Sequence, residues 1–324
     1  MVRYQRRKRS GSQACANKEE VRQMSNPFMQ RLQDAYPQMI IADVQTERSA
    51  QHYFVFTVNH SAVFRFARDA ESARSLLFEA RSLLPAIARA VALPTPEPLY
   101  ESLERLEPGY AFLGYARIDG EPLWPETLEE QAGTEAWERA AQSVSRFLRE
   151  LHAAEPPRAE QGRREDAHAD RLAPEELAAR AREELFPRLS AGAREAAARD
   201  LEALASESER AGRQALIHGA LGPAHLLWDA VEASVCGAIG FGSARTGDPA
   251  RDLGSLSAVY GTAFYERCIA LYAGDEALDK RARLYARLMP LQEALYGLDT
   301  GDDETLNYGL EAYERETGRC SGQT

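Results

Sequence analysis

The chain has 324 residues, 44% hydrophobic and 27% charged, with a net charge of −11, long enough for a sizeable core in one large domain or two lobes and ordinary for a globular protein. It holds no apolar run near the ~20 residues that a membrane-spanning helix needs. Its four cysteines (Cys15, Cys236, Cys268, Cys320) stand apart without a CxxC pair, which argues against zinc and a disulfide framework and for a reducing cytoplasm.

Residues 1–25 have no hydrophobic period and read as a disordered basic arm. Residues 1–24 carry seven Lys/Arg against two Asp/Glu, leaving 32 basic and 48 acidic residues in the remainder, a net of −16 there. So acidic a body disfavours nucleic acid as a partner and favours cationic ligands. The start also lacks the apolar stretch of a secretory signal.

From residue 26 to 116 the text predicts a small lobe of antiparallel strands plus one helix. Met39–Val44, His52–Val58 and Ala62–Phe66 are β-like, with alternation and β-branched or aromatic residues. Glu71–Val91 then places Leu76, Leu77, Ala80, Leu83, Leu84 and Ile87 at helical spacing, and Leu99–Tyr100 and Tyr110–Ala116 return to strand. Arg65 lies between Phe64 and Phe66, so the pleat turns it away from both. The link Thr46–Gln51 contains no glycine, but Ser49 and Ala50 are small enough to let a phosphate approach the backbone.

Residues 117–324 are expected to form a helical large lobe. Trp137, Ala141, Val144, Phe147, Leu148 and Leu151 make one apolar stripe ending at Leu151-His152. Helical periodicity continues over 174–212, 250–272, 279–295 and 303–316. Between them stands LIHGALGPAHLLWDAVEASVCGAIGFGSARTGDPARDLG, Leu216 to Gly254. It reads as a tight loop with His218, a strand at Leu226–Trp228, a second strand at Val235–Ile239 and a Gly-flanked turn.

This 39-residue segment resembles the core of the aminoglycoside phosphotransferase family, whose text is close to H-G-D-L-x-x-x-H/N-L-L, then I-D-F-G and D-P-x-x-D. His225 in place of Asn is similar to the 2''-type aminoglycoside kinases. The resemblance implies an α+β, two-lobed protein-kinase-like fold and an ATP- or GTP-dependent phosphorylation of a hydroxyl on an aminoglycoside or similar small molecule, with Mg2+. It also implies that Arg65 paired with Glu79, together with Ser49 and Tyr115, meets the nucleotide, Tyr115 lying in the stretch that joins the lobes. His218 would hold the catalytic loop, and acids of the last third (Asp299, Asp302, Asp303, Glu304) would hold the antibiotic's ammonium groups. The bland alternative for those four is a solvated helix start.

Two positions depart from the pattern. Ala220 stands where the family has its catalytic Asp, and Gly240 where it has the metal-binding Asp. A methyl group neither accepts a proton nor orients a hydroxyl, and His225 alone is a poor magnesium ligand, since magnesium takes hard oxygen donors. The expectation is a catalytically impaired member, with Mg2+ binding in doubt. Two other readings stay open: an active kinase using a displaced carboxylate (Asp229, Asp248 or Asp252), and a non-catalytic protein that binds nucleotide or a cationic ligand. For Asp248 and Asp252 the helix start at Pro249 offers a structural reading, with Pro249 at the first helical position and Asp248 as its N-cap.

Overall fold

The computed structural model describes residues 27–47, 53–157, 172–211 and 214–320. The predicted basic arm and Ser49 lie outside them. The chain divides into two compact units. One runs to Ala88 and resumes at Thr95–Ile118; the other holds Arg89–Pro94, Asp119–Pro156 and the described residues from 172 onward.

The first unit is a five-stranded antiparallel sheet in the order β1-β2-β3-β5-β4. Its strands are β1 (Val44–Glu47), β2 (Tyr53–Val58), β3 (Ala62–Ala67), β4 (Pro98–Ser102) and β5 (Phe112–Ala116). The β2–β3 turn is tight, with Asn59 and His60 both in the left-handed region. One face of the sheet is aromatic: Phe56, Phe64, Phe66 and Phe112 are buried with Val44 and Val58. A helix not anticipated from the sequence, α1 (Pro27–Ala35), covers that face by burying Met29 and Leu32. The first strand also starts later than Met39. The stretch before Val44 is held by a side chain instead of a ladder: Asn59 accepts from the backbone N–H groups of Ala42 and Asp43 and donates to the Ile40 carbonyl.

Helix α2 (Ala70–Phe78) begins in a capping box, Asp69 accepting from Ser72 N–H at 2.7 Å. It passes through a π turn (Glu79–Leu83) into α3 (Leu84–Ala90). This is the single helix that the spacing predicted, with one turn widened.

The second unit is mostly helical: α4 (Pro125–Glu130), α5 (Glu135–Ala153), α6 (Pro174–Arg180), α7 (Ala191–Ala211), α8 (Ala250–Tyr272), α9 (Glu276–Thr300) and α10 (Asp303–Cys320). The continuous helix expected over 174–212 is broken. A π turn and a 3-10 turn at Phe186–Arg188 precede α7, because Pro187 has no N–H to give and its ring clashes with the preceding turn. Helix α8 is interrupted at Gly261, whose φ of 82° is not helical. Two small sheets sit among the helices. In one, β7 (Ala215–Ile217) pairs with β10 (Arg245–Gly247); in the other, β8 (Leu226–Asp229) lies between β6 (Glu121–Pro122) and β9 (Ser234–Ala238).

Candidate functional site

In the first unit the pleat does what alternation predicts. Phe64 and Phe66 are fully buried on one face, and Arg65 leaves on the other. Its guanidinium meets Glu79 at 2.5 Å, with the two side chains 12% and 1% exposed. Tyr53 donates to the second Glu79 oxygen at 3.2 Å. The guanidinium carbon lies 4.9 Å from the Tyr53 ring and 5.8 Å from the Tyr115 ring. Burial opposes the charge on Arg65, but Glu79 and the two tyrosines outweigh it and raise its pKa. Burial likewise pushes the Tyr115 hydroxyl up. Arg65 Nε is buried with no partner among the described residues, a donor that an anion would satisfy.

The structure therefore brings Arg65, Glu79 and Tyr115 together and adds Tyr53, which sequence reasoning missed. The signal was available in the register. Arg65 opposes Val55, and Val63 opposes Tyr115, so Tyr53 and Tyr115 lie diagonally from Arg65 on its own face.

In the second unit two loops carry the motif, one from β7 to β8 and one from β9 to β10. Asp252, in the first turn of α8 and fully buried, organises the first loop. Its carboxylate accepts from the backbone N–H of His218 at 2.7 Å and of Gly219 at 2.9 Å. His152, at the end of α5, lies 3.1 Å away through Nε2 and donates a third bond, while its Nδ1 meets the Tyr272 hydroxyl at 3.0 Å. Burial works to raise the Asp252 pKa, but His152, His218 and the Gly219 N–H together outweigh it and hold the carboxyl below its ordinary value. Gly219 takes a φ of 82°, and any Cβ there would lie 2.5 Å from the Ser243 carbonyl. That close approach explains the glycine.

His218 is fully buried and donates from Nε2 to the Ile239 carbonyl at 3.0 Å, tying the two loops together. Burial pushes its pKa down. His225 donates from Nδ1 to the Ala220 carbonyl at 2.6 Å. Burial, aided by His218, pulls its pKa down to about 4, so the ring is neutral at pH 7. Its lone pair is then on Nε2.

Ala220 and Gly240 flank this imidazole, and neither position offers a carboxylate. Gly240 is left-handed, with φ 84° and ψ 37°. Magnesium does not fit what remains: among the described residues no group of three His, Cys, Asp or Glu is gathered, and one imidazole is a poor substitute for oxygen donors.

The three acids close by in sequence are all engaged. Asp229 accepts from the backbone of Val231 and Glu232 in the β8–β9 turn. Asp248 accepts from Arg281 Nε at 2.8 Å and from Ala250 N–H at 3.0 Å; it sits one residue before Pro249, which itself is the N-cap of α8. Asp252 holds the catalytic-type loop as described.

The four acids of the last third do not converge. Asp299 is clamped by Arg180 in two bonds of 2.7 and 3.1 Å. Asp302 caps α10, accepting from Thr305 Oγ1 at 2.7 Å and from two backbone N–H groups. Asp303 and Glu304 are exposed in the first turn of that helix.

Comparison with known proteins fits this geometry. The model of the phosphotransferase enzyme family matches residues 41–291. Viomycin phosphotransferase of Streptomyces vinaceus is 31% identical over 266 residues, 81% of this chain and 90% of that protein. Among solved structures, the GDP and kanamycin complex of APH(2")-IIia superposes with a TM-score of 0.75 at 22% identity, covering 90% of this chain and 98% of that one. Macrolide 2'-phosphotransferase MphH from Brachybacterium faecium gives 0.61 at 19% identity, covering 88% and 97%. At these identities the two structures speak for the two-lobed kinase-like fold.

Proposed function

This chain belongs to the phosphotransferase enzyme family, and from that premise we propose that it is a member in which phosphoryl transfer is disabled while ligand binding persists. One observation carries the reading: the space between Ala220 and Gly240 is filled by the neutral His225 ring, and the acids near it in sequence, Asp229, Asp248 and Asp252, are each held in other bonds. Phosphoryl transfer depends on positioning and on neutralising charge around the phosphates. Without the carboxylate that orients the attacking hydroxyl, and without the metal ligand, both contributions are lost together. The same bonds count against an active kinase with a displaced carboxylate. Asp252 would have to abandon two backbone N–H groups, and Asp248 a buried arginine.

Ligand binding has separate support. Arg65 keeps a buried, unsatisfied donor beside Glu79, Tyr53 and Tyr115, suited to a nucleotide phosphate. Structural neighbours are GDP and ADP complexes, which makes ATP or GTP the nucleotide class to test. The net −16 outside the first 24 residues favours a cationic antibiotic through long-range attraction. Kanamycin and viomycin, named with the relatives, are the first to try. Of the acidic cluster, Asp303 and Glu304 are the acids this reading assigns to that attraction, since Asp299 and Asp302 are engaged. We assign the protein to the reducing cytoplasm, in keeping with the free thiols Cys236 and Cys268; no helix among the described residues is long and apolar enough to cross a membrane.

The deciding experiment is a phosphotransfer assay with ATP and GTP across aminoglycosides and viomycin, run beside calorimetric binding of the same compounds. Binding without turnover is the expected result. Turnover within tenfold of an ordinary kinase, whose kcat is about 1–100 s⁻¹, overturns it.

A further inference from the structure

A cavity of about 480 Å³ opens in the second unit where α5, the start of β9 and the end of α8 meet. Arg139, Gln142, Arg146 and Arg149 line it from α5, and Ser234 from β9. Steps of three and four residues put the first four on one helix face. The opposite face is buried through Ala141, Val144, Leu148 and Leu151, so the arginine face is fixed outward. At 1.5 Å per residue, Arg139 and Arg149 are about 15 Å apart along the axis.

Among the described residues no acidic side chain lines the cavity, although the body as a whole is strongly acidic. The acids nearest in sequence leave Arg146 and Arg149 without a carboxylate partner among those residues. Glu138 is held by Arg267 Nε at 2.8 Å and also accepts from Gln142 Nε2 at 2.9 Å, while Glu150 accepts from the Ala92 N–H at 2.7 Å. Glu135, almost wholly exposed, forms only a loose surface ion pair with Arg139, at 3.7 Å. Arg146 pairs with no carboxylate among the described residues. Arg139 and Arg149 also reach the carbonyls of Ala233 and Leu271, each at 3.5 Å, the outer limit of a hydrogen bond. Like charges three apart on a helix destabilise it, so Arg146 and Arg149 carry a repulsion that an anion would relieve.

We propose that this cavity is a binding site for an elongated oligoanion carrying two or more phosphate groups. Guanidinium groups match phosphate oxygens in paired hydrogen bonds; Ser234 adds a neutral donor beside them, and Gln142, which already donates one N–H to Glu138 at 2.9 Å, has a second. The row explains the length: a single phosphate meets one arginine well, a short chain of phosphates meets Arg146 and Arg149 together, and a longer chain extends towards Arg139. The cavity's volume is that of an ordinary small-ligand site. It is separate from the Ala220–Gly240 loops, because β9 carries the chain about 13 Å from Ser234 to Ala238.

The test is calorimetry on the full chain with inorganic tripolyphosphate at low salt, and with orthophosphate beside it. Tripolyphosphate should bind at least tenfold more tightly than orthophosphate, and weaken as salt rises. The variant R146Q/R149Q, altered only at exposed positions, should lose at least tenfold in affinity, and R146K/R149K should fall between. No binding of tripolyphosphate, equal binding of orthophosphate, or an unchanged R146Q/R149Q variant overturns the proposal. So does tighter binding of a polyglutamate peptide than of tripolyphosphate.

Discussion

The His225 imidazole lies in the space that any side chain at Gly240 would enter. A Cβ built on Gly240 falls 2.2 Å from His225 Cδ2 and 2.7 Å from Nε2, and the Gly240 backbone is left-handed. The missing carboxylate is therefore more than an absence at one position: the surrounding site is closed over it.

Gly240→Asp should accordingly destabilise the protein, by about 1–3 kcal/mol from overpacking with left-handed strain added. Pairing it with His225→Ala should recover part of that loss, because the two substitutions share one space and couple. Urea midpoints of the wild type, both single variants and the double variant measure the coupling. Strict additivity contradicts it. By the same geometry, Ala220→Asp with Gly240→Asp should stay silent in phosphotransfer while His225 keeps its present place.

Asp252 should be a major determinant of stability in the second unit. It is a buried carboxylate serving two backbone N–H groups and His152. Asp252→Ala leaves all three donors unsatisfied, and a loss of about 3–5 kcal/mol is expected. Denaturant unfolding reads it directly; a change under 1 kcal/mol means that the loop holds itself.

Acid should weaken the fold through the two loop histidines. Both have folded-state pKa values below the ordinary 6.5, His225 at about 4. As pH falls below 6.5 the unfolded chain takes up these protons first. Stability then declines between pH 6.5 and about 4, where His225 titrates in the folded state. Carboxylates add to any acid effect, so the readout is the difference between wild type and His225→Gln. The variant should lose less stability between pH 7 and pH 4.5, and parallel curves reject the assignment.

Arg65→Ala should cost more than a surface ion pair. It strands Glu79, which is 1% exposed, and breaking a buried pair costs about 3–5 kcal/mol. The double variant Arg65→Ala with Glu79→Gln should be more stable than Arg65→Ala alone, while still failing to bind nucleotide. Thermal unfolding and fluorescent-nucleotide titration separate the two effects.

Asp302 and the exposed acids of α10 should behave differently from each other. Asp302→Ala removes a helix cap worth about 1 kcal/mol. Neutralising Asp303 and Glu304 should leave stability within about 0.5 kcal/mol yet weaken kanamycin binding at low salt. If kanamycin binding is indifferent to the pair, they only begin a helix.

Much of this was legible in the chain. Alternation around Phe64-Arg65-Phe66 fixes which way the arginine faces, and helical spacing finds α2, α5 and α8, because burial of one face repeats at the period of the element. The segment from Leu216 to Gly254 identifies the family, and with it the two positions that lack carboxylates. Tertiary structure decided the rest. Helix α1 was missed because its nine residues are too few for their period to stand out, although Phe28, Met29 and Leu32 share the face that Met29 and Leu32 bury against a sheet formed later in the chain. The service that Asp252 gives to His218, Gly219 and His152 joins residues 33 to 100 positions apart, which no local pattern encodes. Nor does the sequence tell that the four acids from Asp299 to Glu304 split between an ion pair, a cap and open solvent, since each fate depends on what the fold puts beside it. The same holds at Gly240, where the sequence shows a lost side chain and only packing shows that His225 now fills its space.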